Sequence, residues 1–159
     1  MAASLPEERI HSALSGGNKK LALAESCTGG MIGMRITAIP GSSEYFDSSV
    51  VVYSNEAKSR FLGVSNDLLK SHGAVSRECA KAMAEGLIGR TGVDYAGAVT
   101  GIAGPDGGTP EKPVGTVWIA WGSEGDIFTE LLKLTGNRDK VRRSAATALL
   151  ERLAELVEA

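Results

Sequence analysis

Apolar side chains follow two rhythms along the chain, short continuous runs and helical repeats, and the two alternate. Leu21, Ala22, Leu23 and Ala24 make the first run, a short buried strand that stops at Glu25 and Ser26, where Cys27, Thr28, Gly29 and Gly30 turn the chain. Behind the glycines Ile32, Ile36 and Ile39 recur at helical spacing until Pro40-Gly41 breaks the pattern. Residues 46–53 contain Ser49-Val50-Val51-Val52-Tyr53, β-branched and continuous enough for a strand buried on both faces. Ser54 or Asn55 then caps a helix carrying Lys58, Phe61 and Leu62; Leu68-Leu69 belongs to a short helix closed by His72-Gly73. Ser76 caps a longer one with Cys79, Met83 and Leu87 inward. Residues 94–100 read as a sheet strand, and residues 113–121 and 127–134 as an antiparallel pair around a turn at 122–126.

The two ends of the chain read as helices. Leu5-Pro6-Glu7-Glu8 is a helix start, with proline in the first turn, and Gly16-Gly17-Asn18 a stop. From Asn137 onward Val141, Ala145, Ala148, Leu149, Leu153 and Leu156 fall on one face, with Glu151, Glu155 and Glu158 outside it. Strands alternating with helices and followed by a hairpin predict an α/β fold, a three-layer α/β/α sandwich around a mixed sheet of about five strands. The expectation is one domain over residues 1–159, without repeat or linker.

Composition narrows the function more than the fold. With 159 residues, 43% of them hydrophobic and 23% charged, the chain is long enough for one real core. A net charge of −2 without a run of like charges argues against nucleic acid as a partner and for a small molecule. Cys27 and Cys79 form no Cys-x-x-Cys motif, and with only His11 and His72 beside them no metal or other cofactor is expected. No apolar run approaches the ~20 residues of a membrane helix, so the chain is placed in the cytoplasm with reduced thiols and away from the membrane. It is expected to work as a homo-oligomer.

The turn after the first strand is the first candidate for chemistry. Ser26 is either the N-cap of the following helix or a nucleophile at the carboxyl end of a strand, where open α/β sheets bind ligands; the two roles are compatible. Cys27 competes with it as a thiol near a helix N-terminus, but cysteine is as often simply buried. The surroundings lack Gly-x-Ser-x-Gly, and two histidines make a Ser-His-Asp triad a poor bet, so a lysine base is the alternative. Lys58, in the first turn after its cap, could serve if burial lowered its pKa about three units, a differential of roughly 4 kcal/mol; on the surface it would be a solvated ammonium. Tyr53 could relay a proton or simply point to water.

Two further features suit a phosphate. The loop at residues 100–108 holds Thr100, Gly101, Gly104, Gly107 and Gly108, a backbone cradle or an elaborate turn. Arg138 and Arg142 share a face near the start of the last helix, a guanidinium pair or part of a solvated basic turn with Lys140 and Arg143. No Gly-x-Gly-x-x-Gly or Walker A sequence is present, which removes most of the case for a dinucleotide oxidoreductase or an NTPase.

Five blocks, in order and spanning most of the chain, resemble the CinA C-terminal domain family. They are Ala24-Glu25-Ser26-Cys27-Thr28-Gly29-Gly30, Tyr53-Ser54-Asn55-Glu56-Ala57-Lys58, His72-Gly73-Ala74-Val75-Ser76, Thr100-Gly101-Ile102-Ala103-Gly104-Pro105 and Lys112-Pro113-Val114-Gly115-Thr116-Val117. The resemblance implies a nicotinamide-nucleotide amidohydrolase, converting nicotinamide mononucleotide and water to nicotinic acid mononucleotide and ammonia, and it implies Ser26, Tyr53 and Lys58 as the catalytic group. Many relatives carry a further N-terminal domain, so this chain looks like a stand-alone form. Expected substrate contacts are Thr28, Gly29 and Gly30 at the oxyanion and, at the phosphate, either the loop with Thr100, Gly101 and Gly104 or the pair Arg138 and Arg142, with Tyr45 and Phe46 as candidates to stack on the pyridine. The rivals are a non-catalytic nucleotide-binding or partner-recruiting module, and serine chemistry on another amide.

Overall fold

The structure is a computed structural model that describes residues 2–159. The strand that leads into Ser26 is β1 (Leu21–Glu25), buried along its whole length. Leu21 and Leu23 point to one side of the sheet and Ala22 and Ala24 to the other, so one face of the strand is large and one small. In chain order follow α2 (Met31–Thr37), a 3-10 turn at Ser42–Glu44, β2 (Phe46–Val51), α3 (Asn55–Leu62), α4 (Asn66–His72), α5 (Arg77–Thr91), β3 (Tyr95–Gly101), β4 (Thr116–Ser123), β5 (Asp126–Lys133) and α6 (Arg138–Glu158); α1 (Pro6–Leu14) precedes β1. The five-stranded sheet runs β2-β1-β3-β4-β5, with β2, β1 and β3 parallel and the other pairs antiparallel. This is the mixed three-layer α/β/α sandwich that the pattern predicts.

The large face of the sheet packs under α1, α2 and α6, through Ile10, Ile32, Ile36, Leu149 and Leu153. The small face, Ala22, Ala24, Ala96, Ala98 and Ala120, lets α5 settle close, with Met83 and Leu87 filling the layer. Gly86 brings α5 against the end of α3: a Cβ built there would stand 1.9 Å from the Leu62 carbonyl oxygen. Gly86→Ala is therefore expected to destabilise the protein by about 3 kcal/mol, the upper end for overpacking. At ~2–4 °C per kcal/mol for a chain of this size, a thermal melt should read a Tm roughly 6–12 °C lower.

Four element boundaries differ from the sequence reading: α2 stops at Thr37, short of Ile39, and the other three differ for a visible reason. β2 ends at Val51 and is half-buried, not buried on both faces, because it is the outermost strand and has β1 alone as a neighbour. The hairpin turn shrinks to Glu124 and Gly125, since Gly122 pairs with Ile127 and Ser123 with Asp126. The strand expected from residue 113 begins at Thr116, after a turn in which Thr116 N–H donates to the Pro113 carbonyl at 3.0 Å. Among the described residues no helix is long and apolar enough to cross a membrane, and no cluster of His, Cys, Asp or Glu is placed to hold a metal ion.

Candidate functional site

Carried one residue past β1, the alternation of the strand puts Glu25 on the α2 side and Ser26 on the α3 side. Ser26 is not the N-cap of α2; Gly30 holds that position at φ +103°, a conformation that favours glycine. The capping is done by Glu25, fully buried, whose carboxylate accepts the N–H groups of Gly30, Ile32 and Gly33. Ser26 is thereby left with its hydroxyl free for another partner.

That partner comes from α3. Ser54 starts the helix, its Oγ accepting Ala57 N–H at 3.0 Å, and the first turn carries Lys58 inward until it is 1% exposed. Lys58 Nζ lies 3.1 Å from Ser26 Oγ and donates to the Val52 and Tyr53 carbonyls, each at 3.0 Å. Burial pushes the amine below its ordinary pKa. A neutral amine has two N–H bonds and one lone pair; with the carbonyls taking the N–H groups, the lone pair is left for the Ser26 hydroxyl proton. The arrangement can act as a general base on a serine nucleophile.

Cys27, next to Ser26, is a different case. Burial pushes its thiol up to about 11 although Arg142 and Lys58 pull the other way, so it stays protonated near neutrality.

Ser26, Lys58, Tyr53, Thr100, Gly101 and Arg138 line one cavity of about 170 Å³ at the carboxyl ends of β1 and β3. It is smaller than the ~300–1,000 Å³ of sites that enclose a drug-sized ligand, with room for a ring-sized group and not for a whole nucleotide. At that mouth Arg138 donates from Nη1 to the Gly104 carbonyl at 2.8 Å and from Nη2 to the Tyr53 hydroxyl at 3.2 Å. The 100–108 loop and Arg138, alternatives on sequence, are thus one wall. Arg142 is turned away from it, donating to the carbonyls of Cys27 and Thr28.

Several expected contacts have other partners. Gly29 N–H donates to the Ser26 carbonyl, and Thr100 Oγ1 to the Ala74 carbonyl. Gly104 and Gly101 are small because a Cβ would meet Val114 at 2.5 Å and Val117 at 2.6 Å, reasons of packing. Tyr45 and Phe46 lie at the far end of the sheet, where Phe46 pairs with Leu21 and Tyr45 is buried against His11. They cannot stack on anything bound at Ser26. Asn55, Ala74, Val75 and Ala103 also line the cavity; Asn55, beside the Ser54 cap, was within reach of sequence reasoning. A wider basin of about 580 Å³ shares Val75 but has its cations engaged, with Lys112 on the His72 carbonyl and Arg77 over Trp118.

The CinA C-terminal domain pattern matches residues 4–157. The chain is 48% identical over 139 residues to the nicotinamide-nucleotide amidohydrolase PncC of Pseudomonas putida, covering 87% of each protein. It is 56% identical over 133 residues to a CinA-like protein of Gemmatimonas aurantiaca, covering 84% of this chain and 31% of that one; it spans about a third of the length of several such curated relatives. Among solved structures, the competence/damage inducible protein CihA of Agrobacterium tumefaciens superposes with a TM-score of 0.92 at 36% identity, covering 100% of this chain and 99% of that one.

Proposed function

We propose that this chain, which belongs to the CinA C-terminal domain family, hydrolyses the carboxamide of nicotinamide mononucleotide to nicotinic acid mononucleotide and ammonia. The observation that carries the reading is the buried Lys58 amine 3.1 Å from Ser26 Oγ on the wall of a ring-sized cavity. The similarity to the Pseudomonas putida amidohydrolase supports the choice of substrate.

Lys58 takes the Ser26 proton as Oγ attacks the carboxamide carbon, and backbone N–H groups of the turn stabilise the oxyanion. When the tetrahedral intermediate collapses, the C–N bond breaks and the proton held by Lys58 passes to the departing nitrogen. Tyr53 assists that transfer: Arg138 donates to its oxygen, leaving the phenolic O–H free to donate in turn. Water, deprotonated by the same amine, then cleaves the acyl-serine ester to the acid and restores Ser26. The pyridine ring fills the cavity and the ribose phosphate lies at its mouth, toward Arg138.

The test is an ammonia assay on the mononucleotide and on free nicotinamide. Release from the mononucleotide with a kcat/KM at least about 10²-fold above that for nicotinamide is expected, since the phosphate contributes binding only to the former. No ammonia from the mononucleotide would overturn the reading, and binding without turnover would mark a ligand-binding module instead. Arg138→Ala is expected to lower kcat/KM for the mononucleotide by about 10- to 100-fold, the worth of a charge-assisted hydrogen bond, in steady-state assays.

A further inference from the structure

The turn that presents Ser26 is gripped from two sides of opposite polarity. Glu25 accepts from Gly30 N–H at 3.2 Å, from Ile32 and Gly33 N–H at 3.0 Å each, and from the Thr28 and Ser49 hydroxyls at 2.7 Å each. Arg142 Nε donates to the Cys27 carbonyl at 3.0 Å and its Nη2 to the Thr28 carbonyl at 2.9 Å. Gly29 N–H donates to the Ser26 carbonyl at 3.1 Å. Past Ser26, the Gly29 and Gly30 N–H groups are taken, while those of Cys27 and Thr28 donate to no protein acceptor among the described residues.

Peptide geometry turns that grip into aim. A trans peptide carries its C=O and N–H on opposite sides. Holding the Cys27 carbonyl therefore fixes the direction of Thr28 N–H. Holding the Thr28 carbonyl fixes Gly29 N–H, which fixes the Ser26 carbonyl, which in turn fixes Cys27 N–H. The close fit of the guanidinium also accounts for Gly29: at φ +60°, a Cβ there would stand 3.1 Å from Arg142 Nη2.

We propose that the Cys27 and Thr28 N–H groups are the oxyanion hole of Ser26, and that Arg142, with Glu25 behind the turn, is the positioning residue that aims them. The proposal rests on the acyl-transfer reading above. It gives Arg142 a part in the chemical step in place of the phosphate-binding role its cationic side chain suggests. Arginine suits this task where lysine does not, because its planar fork reaches two adjacent carbonyls at once.

The experiment is Arg142→Lys, which keeps the cation and loses the fork. Steady-state kinetics on nicotinamide mononucleotide are paired with calorimetric binding of the same compound to Ser26→Ala and to Ser26→Ala/Arg142→Lys, with thermal melts to confirm folding. The expected result is a kcat lower by about 10²-fold, the typical loss for one oxyanion donor, with KM and Kd unchanged within about twofold. A wild-type kcat, or a loss confined to KM and Kd, would overturn the proposal, the latter because it is the signature of a phosphate contact. Glu25→Gln, which cannot accept from all five donors, is the second arm and decides alone if the lysine variant does not fold. It should show the same kcat-only loss, and combined with Arg142→Lys it should lose less than the product of the two, because both act on the same N–H groups. A wild-type kcat in folded Glu25→Gln overturns the part given to Glu25. Full activity in Ser26→Ala would instead sink the acyl-transfer reading; its loss there, with wild-type kcat in both other variants, sinks the hole alone.

Discussion

Ser26→Ala is expected to lower kcat for ammonia release from nicotinamide mononucleotide by at least about 10³-fold, as removal of a nucleophile does elsewhere. The fold should survive, because Ser26 has one side-chain partner and Lys58 keeps its bonds to the Val52 and Tyr53 carbonyls when the hydroxyl goes. A thermal melt close to that of the parent chain, beside the lost activity, separates loss of chemistry from loss of structure. Substrate binding should persist, since the mouth of the cavity is built by Arg138 and the Gly104 carbonyl, which Ser26 does not touch.

Lys58→Ala should cost a similar factor, about 10³-fold in kcat, and Lys58→Arg should not restore it, because a guanidinium with pKa above ~12 has no lone pair to offer near neutrality. The proposed reaction has a pH signature of the same group. Burial holds the Lys58 amine below 10.5, so kcat/KM should rise with pH as one proton leaves and level off at an apparent pKa under that value. A profile still climbing through 10.5 would remove Lys58 as the base. The shift has a second consequence with a definite sign. Between the lowered pKa of the folded protein and the unfolded value of 10.5, the unfolded chain binds more protons, so stability rises with pH across that window. The chain is less stable at neutral pH for keeping the Lys58 amine in its interior.

How much of this could be read from the residues varies with the range of the interaction. The layer order was legible because it depends on local period: Leu21 and Leu23 against Ala22 and Ala24, or Val141, Ala145, Leu149 and Leu153 along one helix, state their faces within a few residues. The caps at Ser54, Ser76 and Asn137 stand where sequence places them, since each needs only its own hydrogen bond three residues on. The half-exposed β2 was not legible, because Ser49-Val50-Val51 looks alike at the centre and the edge of a sheet, and edge position is decided by which strands arrive later. In the site, spacing nominated Ser26 and Lys58 separately, and the resemblance paired them; the two stand 32 positions apart, and the chain between them had to fold to make a contact. Glu25 was missed for the opposite reason. A carboxylate inside an apolar run reads as the end of a strand, and the Gly30, Ile32 and Gly33 N–H groups it collects appear only once α2 has formed.

The two-residue period of β1 makes sheet register a determinant of chemistry here as well as of packing. A slip of one residue against β2 and β3 would exchange every side chain between the layers. It would swing the Glu25 carboxylate onto the Lys58 amine, forming a buried ion pair, and send the Ser26 hydroxyl under α2, where it has no base. The slipped chain could keep its helices, its strands and much of its apolar contact and still be inert. An attempt to transplant this serine and lysine into another parallel sheet therefore has to carry the neighbouring strands that fix β1, because one step out of phase the lysine would pair with Glu25 and not face Ser26.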